Sequence, residues 1–150
     1  MSSKPFLVPG WEVGGIRTAA KFFSALVDVL PLPVNLCFEG TSMRSDVQTL
    51  LASNIVAPTL QIPPGTIWPK PAVFHVLATE QFIHELAAVA SKHAEPEVCD
   101  HFHVYKDSHG LMQWYDAFDL PLLIDESITE VRLRGFCNKL GVQYAPWHAA

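Results

Sequence analysis

The spacing of apolar positions changes several times along the chain, and each change marks an element. Over residues 15–30, Ile16, Ala19, Ala20, Phe23, Leu26, Val27 and Leu30 recur at i, i+3, i+4 and i+7, with Arg17, Lys21, Ser24 and Asp28 on the other face. This is the period of an amphipathic helix, and Pro31 stops it. Residues 34–39, "VNLCFE", switch to period two. Val34, Leu36 and Phe38 share one face of a strand there, and Asn35, Cys37 and Glu39 share the other. A turn at Gly40-Thr41-Ser42 leads into a helix over 43–53, striped by Met43, Val47, Leu50 and Leu51. Residues 72–78, "AVFHVLA", are apolar on both faces, which predicts a central strand covered on both sides. Thr79 is placed to cap a helix over 80–93 with Phe82, Ile83, Leu86, Val89 and Ala90 inward. "LPLLI" at 120–124 reads as a short strand that Pro121 keeps at an edge. The last helix is predicted over 128–140. Ser127 and Glu130 have capping-box spacing, Gly141 is the stop, and Ile128, Val131, Phe136, Cys137 and Leu140 face the core.

Between the third and fourth helices lies "CDHFHVYKDSHGLMQWY", a predicted hairpin. A type I turn at Asp107–Gly110, with Gly110 as a left-handed bulge, sets a register in which Tyr105 faces Gln113, His103 faces Tyr115 and Phe102 faces Asp116. Phe102, Val104, Met112, Trp114 and Phe118 then form a core face. Cys99, His101, His103, Tyr105, Gln113 and Tyr115 form a second face, polar and aromatic together. His109 lies at the turn tip, about 20 Å along the strand from His103.

The element order is therefore α-β-α-β-α-β-β-α. Two consecutive right-handed βαβ crossovers predict an α/β fold: a small mixed, mostly parallel sheet of about four strands covered by about four helices. An α+β arrangement with the helices on one face is the alternative. Residues 1–150 are expected to form one domain, with irregular tails at 1–14 and 142–150.

Composition narrows the functional classes. The chain is 49% hydrophobic and 17% charged with a net charge of −5, which predicts a globular protein. No Lys/Arg run exists in the sequence to neutralise phosphates, so neither nucleic acid nor an anionic membrane is an expected partner. The apolar stretch 22–38 is broken by Asp28, Pro31 and Pro33, so no span is expected there. Cys37, Cys99 and Cys137 are separated and odd in number, which points to a reducing, cytoplasmic setting rather than a disulfide framework.

The candidate chemistry is sparse. Residues 55–71, "IVAPTLQIPPGTIWPKP", carry five prolines and cannot be an interior helix or central strand. Such a stretch reads as a surface wrap held by Leu60, Ile62, Ile67 and Trp68, or as a lid. His101 and His103 lie about 7 Å apart on one strand face, with Cys99 in line. Three ligands in a row do not close a tetrahedron, so a metal there requires a further ligand such as His75 or Glu39. His75 itself reads as a core histidine, and Glu80 with His84 as an i, i+4 pair on a solvated helix face. In a parallel sheet the C-terminal strand ends gather Glu39, Thr41, Ser42, Thr79, Glu80, Lys106 and Asp107, and "EGTSMR" with Arg44 forms a potential anion cradle. No serine-hydrolase elbow, phosphate loop or dinucleotide fingerprint is present.

Two functions follow as expectations. The first is a cofactor-free, non-catalytic binding module whose contact residues are His101, His103, Tyr105, Tyr115, Trp68, Glu39 and Ser42. Its partner is a protein or a second copy of itself, a homodimer through the hairpin face being one form. The second is a small-molecule or metal-assisted hydrolase-type enzyme using the His101/His103 pair.

Overall fold

The path of the chain between the second and third strands decides the architecture. The structure, a computed structural model, describes residues 10–147. In chain order its elements are β1 (Trp11–Val13), α1 (Ala19–Val29), β2 (Val34–Gly40), α2 (Ser45–Ala52), β3 (Ala72–Ala78), α3 (Glu80–Ala90), a 3-10 turn (Glu95–Glu97), β4 (His101–Lys106), β5 (His109–Trp114), β6 (Leu122–Ile124), α4 (Glu130–Leu140) and β7 (Tyr144–Pro146). The strands form one seven-stranded sheet in the order β3-β2-β4-β5-β6-β1-β7, antiparallel throughout. The fold is α+β, and the mostly parallel four-stranded sheet expected from the element order is overturned.

The physical reason is a second crossing. A βαβ unit uses its helix as the only return path. Here α2 returns the chain, and residues 55–71 then cross the sheet again. Gly40 and Ala72 consequently face each other across the β2/β3 pair, so the chain re-enters at the end it left. The next crossover, through α3, does make β3 and β4 run the same way. β2 lies between them, however, so they do not pair. β3 is accordingly an edge strand rather than a central one, and Val73 and Leu77 are left about half exposed.

One face of the sheet carries the core. Val34, Leu36, Phe38, Val76, Ala78, Phe102, Val104, Met112 and Trp114 meet Phe22, Phe23, Leu26, Phe82, Ile83, Leu86, Leu133 and Phe136 of α1, α3 and α4. Phe22 sits at the centre, with edge or tilted ring contacts to Phe23, Phe102, Trp114, Phe118 and Phe136. Offset and edge geometries of this kind each add about 1 kcal/mol beyond area burial. Thr79 caps α3 by accepting from the Phe82 N–H, and Gly141 ends α4 in the left-handed region at φ 68°. The α4 cap is Thr129 rather than Ser127, and Val131 points to solvent while Leu133 takes the core position. The segment 120–124 yields β6, which is flanked by β5 and β1 rather than lying at an edge. Trp11–Val13 and Tyr144–Pro146, within the stretches expected to be irregular, pair with each other. The remainder of those stretches at 1–9 and 148–150 lies outside the described residues.

The hairpin is tighter than the sequence predicts. Lys106 faces His109, Val104 faces Met112 and Phe102 faces Trp114, with a bulge between Val104 and Tyr105. His109 therefore begins β5, and Asp107, at φ 55°, takes the left-handed position. From Phe102 to Val104 the register differs from the expected one by two residues, so each side chain keeps its face; beyond the bulge it differs by three.

Candidate active site beneath the proline-rich strap

The second face of the sheet is where the polar residues collect. Alternation along β2, β3 and β4 sends Cys37, Glu39, His75, His101, His103 and Tyr105 away from the helices. An open sheet face would leave them wet. Instead Glu39, His101, His103 and Tyr105 are all buried, because the segment 55–71 lies across them as a strap. The hairpin face is thus not a free surface.

The strap is fixed at named points. After α2 the chain rounds the sheet edge, where the Val56 N–H donates to the His75 carbonyl and the Leu77 N–H to the Asn54 carbonyl. The Thr59 hydroxyl then donates to the Asp107 carbonyl, and the Tyr115 hydroxyl donates to the Pro63 carbonyl at 2.7 Å. Pro63 and Pro64 have no N–H to satisfy. The next two donors, Gly65 and Thr66, both point at the Glu39 carboxylate, at 3.1 and 3.0 Å from Gly65 and 2.7 Å from Thr66. Charge-assisted bonds of this type are the strong class. The Thr66 Oγ1 lies 2.8 Å from His101 Nε2, and Glu39 Oε2 lies 3.6 Å from the same nitrogen.

The hydrogen bonds fix the histidine tautomers. His101 Nδ1 accepts from the Asp116 N–H at 2.9 Å, and His103 Nδ1 accepts from the Trp114 N–H at 3.2 Å. A nitrogen that accepts a backbone N–H carries no proton, so the imidazole proton sits on Nε2 in each ring. His101 then donates from Nε2 to Thr66. The Tyr115 ring stands edge-on to both, with centroids 5.6 Å from His101 and 4.6 Å from His103. Burial, followed by the neighbouring His101 and His103's other neighbour His75, lowers the His103 pKa to about 3.

A second constellation lies beside the first. Cys37 Sγ is 3.7 Å from His75 Nε2, and His75 Nδ1 is 2.7 Å from the Tyr105 hydroxyl. A thiol, an imidazole and a third orienting group resemble a nucleophilic triad in outline. The electrostatics do not activate it. Burial and the Glu39 charge push the Cys37 thiol up to about 12. Burial lowers the His75 pKa. Burial and Cys37 push Tyr105 up to about 12. A reactive thiol needs the opposite shift.

Metal ligation is disfavoured by the same geometry. A metal on Nε2 of His101 or His103 requires the proton on Nδ1, where it would confront a backbone N–H. Cys99 is buried in the apolar core, with its thiol pushed up by burial and by the Asp100 carboxylate. Among the described residues no group of three or more His, Cys, Asp or Glu side chains is arranged to hold a metal ion.

The remaining sequence candidates are dispersed. In the antiparallel sheet the C-terminal end of β2 meets the N-terminal end of β4, so Glu39 faces His101, while Asn35 and Tyr105 pair toward the far end. Glu39 is therefore not gathered with Lys106 and Asp107. Ser42 is exposed, and its neighbour Thr41 donates from N and Oγ1 to Asp100 Oδ2, both at 2.9 Å. Arg44 is paired with Glu97. His84 and Glu80 stand 3.7 Å apart on an exposed helix face. His109 bonds Asp125 Oδ2 at 2.9 Å. Trp68 is exposed, 85% accessible, beside Ile67 at 88%. Gly65, Thr66 and the Cys37/His75 contact were not singled out from the sequence. The signal available was Gly65-Thr66 directly after two prolines, where backbone donors resume.

Cavities are modest. A space of about 160 Å³ opens beside His101, lined by Thr66, Asp100, Asp116 and Asp119 among others. A shallower groove of about 510 Å³ runs over the helix layer, lined by Ala20, Ser24, Ala87 and Ala88 together with Lys21, His84 and Lys139. Among the described residues no helix is long and apolar enough to cross a membrane. Comparison of the chain with protein-family models, curated proteins and solved structures returns no match in any of the three.

Proposed function

We propose that this chain is a non-catalytic module that binds a protein partner through the crest of the proline-rich strap. The observation that carries the reading is the contrast within one segment. The strap is rooted by bonds to Glu39, His101 and Tyr115, yet the next two residues, Ile67 and Trp68, stand 88% and 85% exposed. A rooted strap restrains a large aromatic side chain in advance, which lowers the ordering cost of binding. Trp is also among the residues enriched in binding hot spots. His101, His103 and Tyr105 take part by supporting the strap rather than by touching the partner. Three free, buried cysteines accord with a reducing, cytoplasmic setting. The test is a photo-crosslinking residue at position 67 in the full chain. A discrete protein adduct, lost on Trp68→Ser in a protein with unchanged unfolding midpoint, is the expected result. No adduct, or one indifferent to Trp68, overturns the reading.

One observation favours a second reading, a small-molecule enzyme built on His101 and His103: the 160 Å³ space reaches His101 beside Thr66. On this reading a small solute raises the unfolding midpoint of the wild type and not of His101→Asn. A broad solute panel without such a shift removes it.

A further inference from the structure

We propose that the partner is a second copy of this chain, docked about a two-fold axis. Ile67 and Trp68 of each copy pack on Ile55, Val73 and Leu77 of the other. This rests on the reading of the strap crest as the contact element.

The exposed apolar residues are not scattered. Among the described residues seven large ones are exposed: Ile55, Ile67, Trp68, Val73, Leu77, Leu120 and Val131. The first five lie between positions 55 and 77, on the strap and on the edge strand β3. Val73 and Leu77 point to the same sheet face as His75, the face the strap crosses, and Ile55 bridges β3 at Val76. One chain thus holds both a projecting pair and a receiving shelf. A two-fold axis satisfies each with the other twice, which is the geometry of an isologous contact.

Charge selects a copy of the same chain. With a net charge of −5, two copies repel over most of their surface. Positions 47–79 hold no Asp or Glu and a single cation, Lys70. The patch residues therefore bring no carboxylate of their own to the contact; Asp100, Asp116 and Asp119 lie around Thr66 at its border, and depletion of charge around aromatic residues is the composition of an interface core. One lysine is too little to select an acidic partner.

Area is sufficient. Trp68 exposes roughly 200 Å², and the four aliphatic residues expose roughly 250 Å² together, at about 100 Å² per fully buried side chain. Doubled, this patch buries about 900 Å², and the surrounding proline rings bring it to the ~1,000 Å² a specific interface needs. The hydrogen-bonding edge of β3 is already used at His75 and Leu77 by Val56 and Asn54, so the copies meet through side chains and not by strand addition.

Sedimentation velocity of the full chain at about 1–200 µM tests this, since an interface near ~1,000 Å² belongs to the weak, transient class. The expected result is a monomer–dimer equilibrium, weakened roughly 30-fold or more by Trp68→Ser and separately by Leu77→Lys. Val131→Ser, outside the patch, leaves it unchanged. Urea unfolding of each variant verifies that it folds. Photo-crosslinking from position 67, with Trp68 retained, to an isotopically distinct copy joins the peptide containing Val73 and Leu77. A monomer throughout, or a dimer indifferent to both patch variants, overturns the proposal. In that event an adduct from position 67 to a different protein retains the strap reading while excluding self-association, and no adduct removes both.

Discussion

Gly65→Ala isolates the contact between strap and sheet in one methyl group. Gly65 is not in the left-handed region, so alanine meets no backbone obstacle there. Chain entropy alone then favours alanine by about 0.4–1 kcal/mol. The surroundings reverse the sign. An added Cβ lies 2.6 Å from Cδ2 and Nε2 of His101 and 2.8 Å from Cε1, whereas carbon atoms rest at about 3.5–4.0 Å. The ring is restrained from retreating into the space beside it, because Asp116 N–H holds Nδ1 at 2.9 Å and Thr66 Oγ1 holds Nε2 at 2.8 Å. The strap must therefore lift by about 1 Å, the difference between these separations. That stretches the Gly65 and Thr66 bonds to Glu39, now 3.1, 3.0 and 2.7 Å, beyond useful range. Bonds to a charged acceptor are worth about 1.5–3 kcal/mol each, partly recovered from water as the strap opens. The net expectation is a loss of about 2 kcal/mol, or roughly 4–8 °C in Tm for a chain of this size. Urea unfolding measures the first quantity. Hydrogen exchange at the Thr66 amide measures the second consequence, loss of protection at the strap root. If Gly65→Ala is as stable as the wild type and the Thr66 amide stays protected, the placement of the strap on the imidazole is refuted.

Glu39→Gln places an amide against two N–H donors. It is expected to cost about 1–3 kcal/mol and to expose strap amides to exchange before global unfolding; unchanged exchange contradicts the carboxylate's role. His103 titrates near pH 3 when folded against 6.5 ordinarily. Between those values the unfolded chain binds a proton that the folded chain refuses, so stability falls on acidification from pH 6.5, by at most about 1.4 kcal/mol per pH unit. His75, also lowered by burial, acts in the same direction. His103→Asn retains an acceptor for the Trp114 N–H and is expected to flatten the urea midpoint between pH 6.5 and 4; a wild type that gains stability over that range refutes the assignment. With Cys37 pushed up to about 12 and Cys137 to about 11 by burial, and Cys99 raised as well, the native chain is expected to react negligibly with a thiol-selective disulfide reagent at pH 8 and to yield three thiols in denaturant. One rapidly reacting native thiol contradicts the protonated, buried state assigned to them.

Local features were legible because their causes are local. The alternation in "VNLCFE" and "HFHVYK" assigns faces, since consecutive strand residues point opposite ways whatever the neighbouring strand does. Thr79 and Gly141 mark helix ends through the conformations they favour. From Phe102 to Val104 the hairpin register was displaced by two residues because a two-residue turn and a bulge replace the longer turn, and displacement by two preserves each face. Strand direction was not legible. The apolar residues of 72–78 suit a strand covered on both faces, and nothing in their pattern reveals that Val73 and Leu77 lie half exposed at an edge. His101 was recognised as unusual, but its partners Glu39 and Thr66 come from distant stretches of chain.

By itself the sequence determined the four helices and five of the seven strands, missing β1 and β7, which side chains share a strand face, and that 55–71 is neither an interior helix nor a central strand. These follow from backbone periodicity and from proline's missing donor, properties of neighbouring residues. The tertiary structure decided that the strands are antiparallel, that the histidine face is covered, and that Ile67 and Trp68 are left outside. Those outcomes depend on a 31-residue connection, from Thr41 to Pro71, that passes through a helix, rounds the β3 edge and recrosses the sheet. Its end point is fixed by where Gly65 and Thr66 find the Glu39 carboxylate. A buried carboxylate and free backbone donors must meet somewhere, but only the folded chain sets the place.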